Sequence, residues 1–129
     1  MTTELCMLLW SVVLGLVQIA LAATCSVSQR GSRWAAGARD EAKPPLGGIG
    51  GRLDRARANF LETFPLFAAV ILAAHLLQRH DYLTVLGAQL YFWARLDYVP
   101  VYAAGIPYLR TLVWTVSIAG IVLVLAALL

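Results

Sequence analysis

The chain has 129 residues, 60% of them hydrophobic and 13% charged, with a formal net charge of +3 and a mean hydropathy of +0.75. Soluble domains are about a quarter charged, so this composition excludes an ordinary soluble enzyme, and it is too apolar for a disordered chain. Seven of the ten basic residues lie between Arg30 and Arg57, but a nucleic-acid-binding arm would need a soluble body to carry it; membrane lipid is the expected surrounding, with no nucleic-acid partner.

Leu5 to Ala23 is an apolar run of 19 residues broken only by Ser11 and Gln18. As a helix it would cover about 28 Å, close to a bilayer core of about 30 Å. It reads as a retained first helix, at about 4–24, rather than a cleaved signal peptide, because Glu4 and no basic residue precedes it and the run is too long. The segment 25–55 follows as a loop. Its Pro44-Pro45, Gly47-Gly48 and Gly50-Gly51 pairs predict a flexible connector, and a phosphate-binding loop is excluded because no Lys-Ser or Lys-Thr follows. A second helix is expected at about 56–78, a third at about 82–103 and a fourth at about 109–129. The sequence thus predicts an all-α, integral membrane four-helix bundle, one domain over 1–129.

Positive charge is concentrated in the first loop, and Arg110 adds to the third, which puts both loops on the cytoplasmic side and both termini outside. Trp10, Tyr82, Tyr108 and Trp114 fall near predicted helix ends, as interfacial aromatics do. Cys6 and Cys25 sit about 28 Å apart on one helix and cannot bridge. His75 and His80 have no partners at metal-ligand spacing, so no metal is expected.

Charged side chains inside a span are costly and usually functional. Arg55, Asn59 and Glu62 recur at i, i+4 and i+7 on the second helix; Arg95, Tyr98 and Tyr102 at i, i+3 and i+7 on the third. Counted from the cytoplasmic mouth, Asn59 and Glu62 lie about 8 and 12 Å deep, and Tyr102, Tyr98 and Arg95 about 5, 10 and 15 Å. The two stripes therefore match in depth, with Arg110 closing the mouth and Arg57 nearby. A plainer reading pairs Glu62 with Arg95 to glue the bundle while Arg57 snorkels to the headgroups. Asp97 lies about 200° around the helix from Arg95 and is assigned no role. Pro65 and Pro100 would free the carbonyls of Leu61 and Leu96 beside the cluster.

The run Arg55-Ala56-Arg57-Ala58-Asn59-Phe60-Leu61-Glu62-Thr63-Phe64-Pro65 resembles the R-A-x-x-N-x-x-E-x-x-P signature of the MAPEG family, the membrane-associated proteins in eicosanoid and glutathione metabolism. Ala94-Arg95-Leu96-Asp97-Tyr98 with Tyr102 looks like that family's third-helix motif, and Arg110 falls close to its arginine at the start of the fourth helix. The resemblance covers the whole chain and is to bacterial-type members, which implies a bacterial inner membrane. It further implies a homotrimer that binds glutathione between neighbouring subunits at the cytoplasmic side. Contacts would come from Arg55, Asn59, Glu62, Tyr98, Tyr102 and Arg110. Ala58 stands where some members carry a basic residue; Arg57 adds one beside it, and Arg30 is the candidate for an arginine that follows the first helix.

Glutathione offers two carboxylates, an ammonium and a thiol. Arginines suit carboxylates bidentately, Glu62 can take the ammonium, and tyrosines add hydrogen bonds. The expected function is a glutathione-dependent transferase or peroxidase acting on lipophilic small-molecule electrophiles. Arg110 is the candidate catalytic residue, and Arg55, Arg57, Asn59, Glu62, Arg95, Tyr98 and Tyr102 bind glutathione as co-substrate. The competing readings are a proton-coupled four-helix exporter and a non-catalytic scaffold. The exporter needs a deep carboxylate in the first helix, where only Gln18 stands.

Overall fold

The computed structural model describes residues 1–129 as five helices and no strand. They are α1 (Thr3–Arg30), α2 (Ser32–Ala36), α3 (Gly48–Leu76), α4 (Tyr82–Ala103) and α5 (Pro107–Leu128). The four long helices run up and down, with α2 as a single extra turn in the first loop. α4 packs most extensively on α5 and α1 on α3; the backbones of α1 and α5 do not come close.

Two boundaries differ from the sequence reading. α1 continues to Arg30 instead of ending near 24, and α3 begins at Gly48, eight residues before the expected start at 56. The glycine pairs are not a flexible connector. A Cβ on Gly50 would come 2.6 Å from the Gln29 amide nitrogen and 3.1 Å from the Cys25 Cβ, and one on Gly51 would collide with the Leu46 carbonyl. Gly50 thus lets the first turn of α3 press against the last turns of α1, Gly51 makes room for the Leu46 carbonyl of the chain entering α3, and that packing outweighs their poor helix propensity. Gln29 locks the approach: its amide nitrogen donates to the Gly47 carbonyl at 3.1 Å and its oxygen accepts from the Gly47 N–H at 2.9 Å. At 28 and 29 residues, α1 and α3 are about 42 Å long, some 12 Å more than a bilayer core, so their basic ends stand clear of the hydrocarbon.

The Thr2 hydroxyl caps α1 by accepting from the Leu5 N–H at 3.2 Å, and Gly31, with φ of 93°, ends it. Asp81 and Thr84 form a reciprocal capping box at the start of α4. α3 and α4 run unbroken through Pro65 and Pro100. Three helices, α1, α3 and α5, are long and apolar enough to cross a membrane; α4 carries Gln89, Arg95 and Asp97.

The core joins Leu8 and Leu14 of α1, Phe60, Phe67 and Ile71 of α3, Ala88 and Tyr91 of α4, and Ile121 and Val124 of α5. Phe67 stacks on Tyr91 at 4.0 Å, and the Tyr91 hydroxyl meets the Thr63 hydroxyl at 3.0 Å, so the buried phenol keeps a partner. α4 and α5 come closest at Gly87 and Gly120: a Cβ on either would lie 2.5–2.6 Å from the other's carbonyl oxygen. Small residues at a crossing let two membrane helices approach backbone to backbone.

At the opposite end from the arginines, Glu4 is buried at 2% exposure. Its carboxylate accepts from the Thr84 hydroxyl at 2.7 Å and stands 3.5 Å from His80 Nδ1. With Glu4 and Thr84, His80 ties the start of α1 to the start of α4. Glu4→Ala is expected to cost about 1.5–3 kcal/mol, as for a hydrogen bond to a charged group, and Glu4→Gln less, because an amide oxygen still accepts from Thr84. Thermal melts of the two variants in detergent check the order.

Candidate binding site at the arginine-rich end

α3 and α4 bring the two polar stripes together within one subunit. The Arg55 Nε donates to the Tyr102 hydroxyl at 3.1 Å, and the Arg55 guanidinium lies 5.8 Å from the centre of that ring. Arg110, in the first turns of α5, places its guanidinium 5.0 Å from the same ring. Tyr98 meets Tyr102 edge-on at 5.5 Å, one turn deeper, and Arg95 lies 4.2 Å from the Tyr98 ring centre and 5.8 Å from that of Phe60. Three arginines thus share two phenol rings. The tyrosine rings hold the three guanidinium groups by cation–π attraction, and the Arg55 Nε is engaged by the Tyr102 hydroxyl as well.

Arg110 stands between two hollows of about 160 Å³ each. The outer one is lined by Arg52, Arg55, Tyr102 and the Gly105–Pro107 turn, and the inner one by Asn59, Tyr98, Thr111 and Trp114. Arg52 is held there by its bond to the Ala103 carbonyl at 3.2 Å, at the open C-terminal end of α4. Arg95 is 1% exposed, and none of its three guanidinium nitrogens has a hydrogen-bond partner; the Asn59 side-chain oxygen is likewise buried and unpartnered. A buried guanidinium with no acceptor is costly. An anionic ligand reaching it would relieve that cost.

Two expected site residues lie elsewhere. Glu62 does not pair with Arg95: it is exposed, and the three ion pairs in the subunit join other residues. Arg95 packs against rings on the inside of the bundle, whereas the Glu62 side of α3 is left uncovered. Arg57 is also apart from the cluster. It forms an ion pair with Asp54 at 2.9 Å and lines a separate hollow of about 380 Å³, with Arg30, Arg39 and Ser26. Its position follows from the helix, since residues two apart differ by about 200° and Arg55 and Arg57 must flank opposite sides of α3. In the same region Arg30 and Arg39 lie 5.3 and 5.2 Å from the Trp34 ring, which orders the loop between α1 and α3.

Sequence spacing gives no site role to Arg52 or Thr111, and it reads Trp114 only as an interfacial aromatic. Trp114 is one turn beyond Arg110, and that i+4 spacing was the available signal; at a helix end it reads equally well as an interfacial anchor. Both cysteines are free, and no group of histidine, cysteine or carboxylate side chains could hold a metal.

The family model described as the MAPEG family matches residues 7–129, nearly the whole chain. No curated protein matches it.

Proposed function

Starting from a chain that belongs to the MAPEG family, a family of helical membrane bundles, we propose that this protein is a membrane-bound transferase or peroxidase that activates glutathione for attack on lipophilic electrophiles. The observation that supports this most is the set of Arg55, Arg95 and Arg110 on Tyr98 and Tyr102, with the guanidinium of Arg95 and the oxygen of Asn59 buried and unpartnered. Arg95 and Arg55 suit the two carboxylates of the tripeptide, and Asn59 offers an acceptor for its amide N–H or ammonium groups. Arg110, between the two hollows, is the group we assign to the thiolate. The electrophile reaches the sulfur from the lipid side.

The assembly we propose is a homotrimer in a bacterial inner membrane, with the arginine-rich end cytoplasmic and both termini outside. Glu62 supports an oligomer: a carboxylate left exposed on an apolar membrane helix is expensive unless a neighbour covers it. In that arrangement the hollow carrying Arg30 and Arg57 faces the adjoining subunit's site, and those residues complete the ligand's anionic contacts from across the interface.

Glutathione binding to the purified protein in detergent, measured by calorimetry, tests the reading. Saturable binding is expected, with no comparable binding of an alkylated glutathione lacking both carboxylates. A protein that binds neither sinks the proposal. Glu62→Gln is expected to leave the subunit's helix content unchanged while the oligomer dissociates at lower detergent or denaturant concentration. Size-exclusion chromatography with light scattering checks it, and an unchanged dissociation profile would make Glu62 a bystander.

A further inference from the structure

α4 carries a second polar stripe, on the face turned away from the arginines. Gln89, Trp93 and Asp97 recur at i, i+4 and i+8, and all three are exposed. They line one wall of a groove of about 370 Å³ between α4 and α5, whose remaining walls include Leu90, Val113 and Val116. Asp97 lies about 9 Å inside the end of α4, a 22-residue helix about as long as a bilayer core is thick. It takes part in no ion pair or side-chain hydrogen bond of the subunit, and neither does the Gln89 amide. Trp93 is half exposed, and its indole is steadied edge-on by the buried Phe92, at 5.1 Å and 74°.

A lone carboxylate facing lipid requires a counter-charge. An indole face one helical turn from that carboxylate is the pairing that recognises an ammonium ion, by cation–π attraction and charge together. The apolar walls of the groove then accept a hydrocarbon chain. We propose that this groove binds a lipophilic ammonium compound, an amine or quaternary ammonium carrying an alkyl chain. Its head sits between Asp97 and Trp93, and its chain lies along Leu90, Val113 and Val116. The charge complementarity selects a cation, and the depth selects one that is already dissolved in the membrane. This site is separate from the glutathione reading and does not depend on it.

The test is a titration of the full-length protein in neutral detergent micelles with tetradecyltrimethylammonium and with an uncharged tetradecyl alcohol, bound molecules being counted by native mass spectrometry. The cation is expected to bind at least about tenfold more tightly than the alcohol. Asp97→Asn is expected to abolish that preference, Asp97→Glu to keep it, and Trp93→Leu to weaken the cation more than the alcohol. Equal binding of the two amphiphiles by the parent protein overturns the proposal. So does undiminished cation binding in Asp97→Asn. A drop in oligomer mass in Asp97→Asn also overturns it, because the groove would then be an interface between copies of this chain. Should Asp97→Asn fail to fold, Asp97→Glu and Trp93→Leu still decide the matter.

Discussion

Arg110→Ala is expected to lose most turnover at neutral pH while the protein still folds and inserts. A free thiol of pKa about 8.5 is about 3% thiolate at pH 7, and the thiolate is the nucleophile. Holding the bound thiol at a pKa of about 6.5 needs about 2.7 kcal/mol of preferential interaction with the anion, and raises the thiolate to about three quarters. On the proposed reading Arg110 supplies it. Its guanidinium is held at 5.0 Å over Tyr102 and borders both hollows. It also sits in the opening turns of α5, where unpaired N–H groups add positive potential. Losing that stabilisation entirely would cut the thiolate about 25-fold at pH 7. The deficit should shrink as the pH rises past the thiol's own pKa, because the mutant's ligand then ionises unaided. Ultraviolet absorbance of bound thiolate and a rate–pH profile against a generic electrophile check both parts. A mutant with the parent rate at pH 7 would move the role to another group, with Tyr98 next.

The second large effect is steric. Gly120→Ala would drive a methyl group to 2.6 Å from the Gly87 carbonyl oxygen and 2.9 Å from the Tyr91 amide nitrogen; Gly87→Ala would drive one to 2.5 Å from the Gly120 oxygen and 2.7 Å from a Val124 methyl. Most of these neighbours are backbone, so the helices must separate. Overpacking of this kind costs about 1–3 kcal/mol. Both methyls are relieved by the same displacement, so the double variant should cost less than the sum of the singles. Gly47→Ala, where an added Cβ meets nothing within 4 Å, serves as the control and should show only the smaller loss of a glycine N-cap. Strict additivity of the two α4–α5 substitutions would show that each is accommodated separately.

The two predictions depend on different kinds of information. The all-helical membrane fold, the number of long helices and the polar stripes were legible in the sequence, because hydrophobic runs and helical spacing are local properties. The run from Arg55 to Pro65 and the third-helix motif were sufficient to suggest the family that residues 7–129 match. The α4 boundaries, Tyr82–Ala103, coincide with the expected ones because a capping box starts the helix. The start of α3 departs from the expected one for the opposite reason. Gly47–Gly51 looks like a breaker until α1 is seen packed on Gly50: Gly48, at φ of 60° in open space, serves the turn, Gly50 serves the close approach, and the two share a letter.

The tertiary structure alone decided which polar residues meet. Periodicity placed Glu62 and Arg95 at matching depths, but depth says nothing about which side of a neighbouring helix faces inward. Arg95 turned to the rings of Tyr98 and Phe60, and Glu62 to the outside. The pairing of Glu4 with Thr84 spans 80 residues of sequence, and no local pattern announces it. Pairing across helices depends on rotation and crossing, and those follow from how side chains such as Gly87, Gly120 and Tyr91 interlock once the helices are in contact.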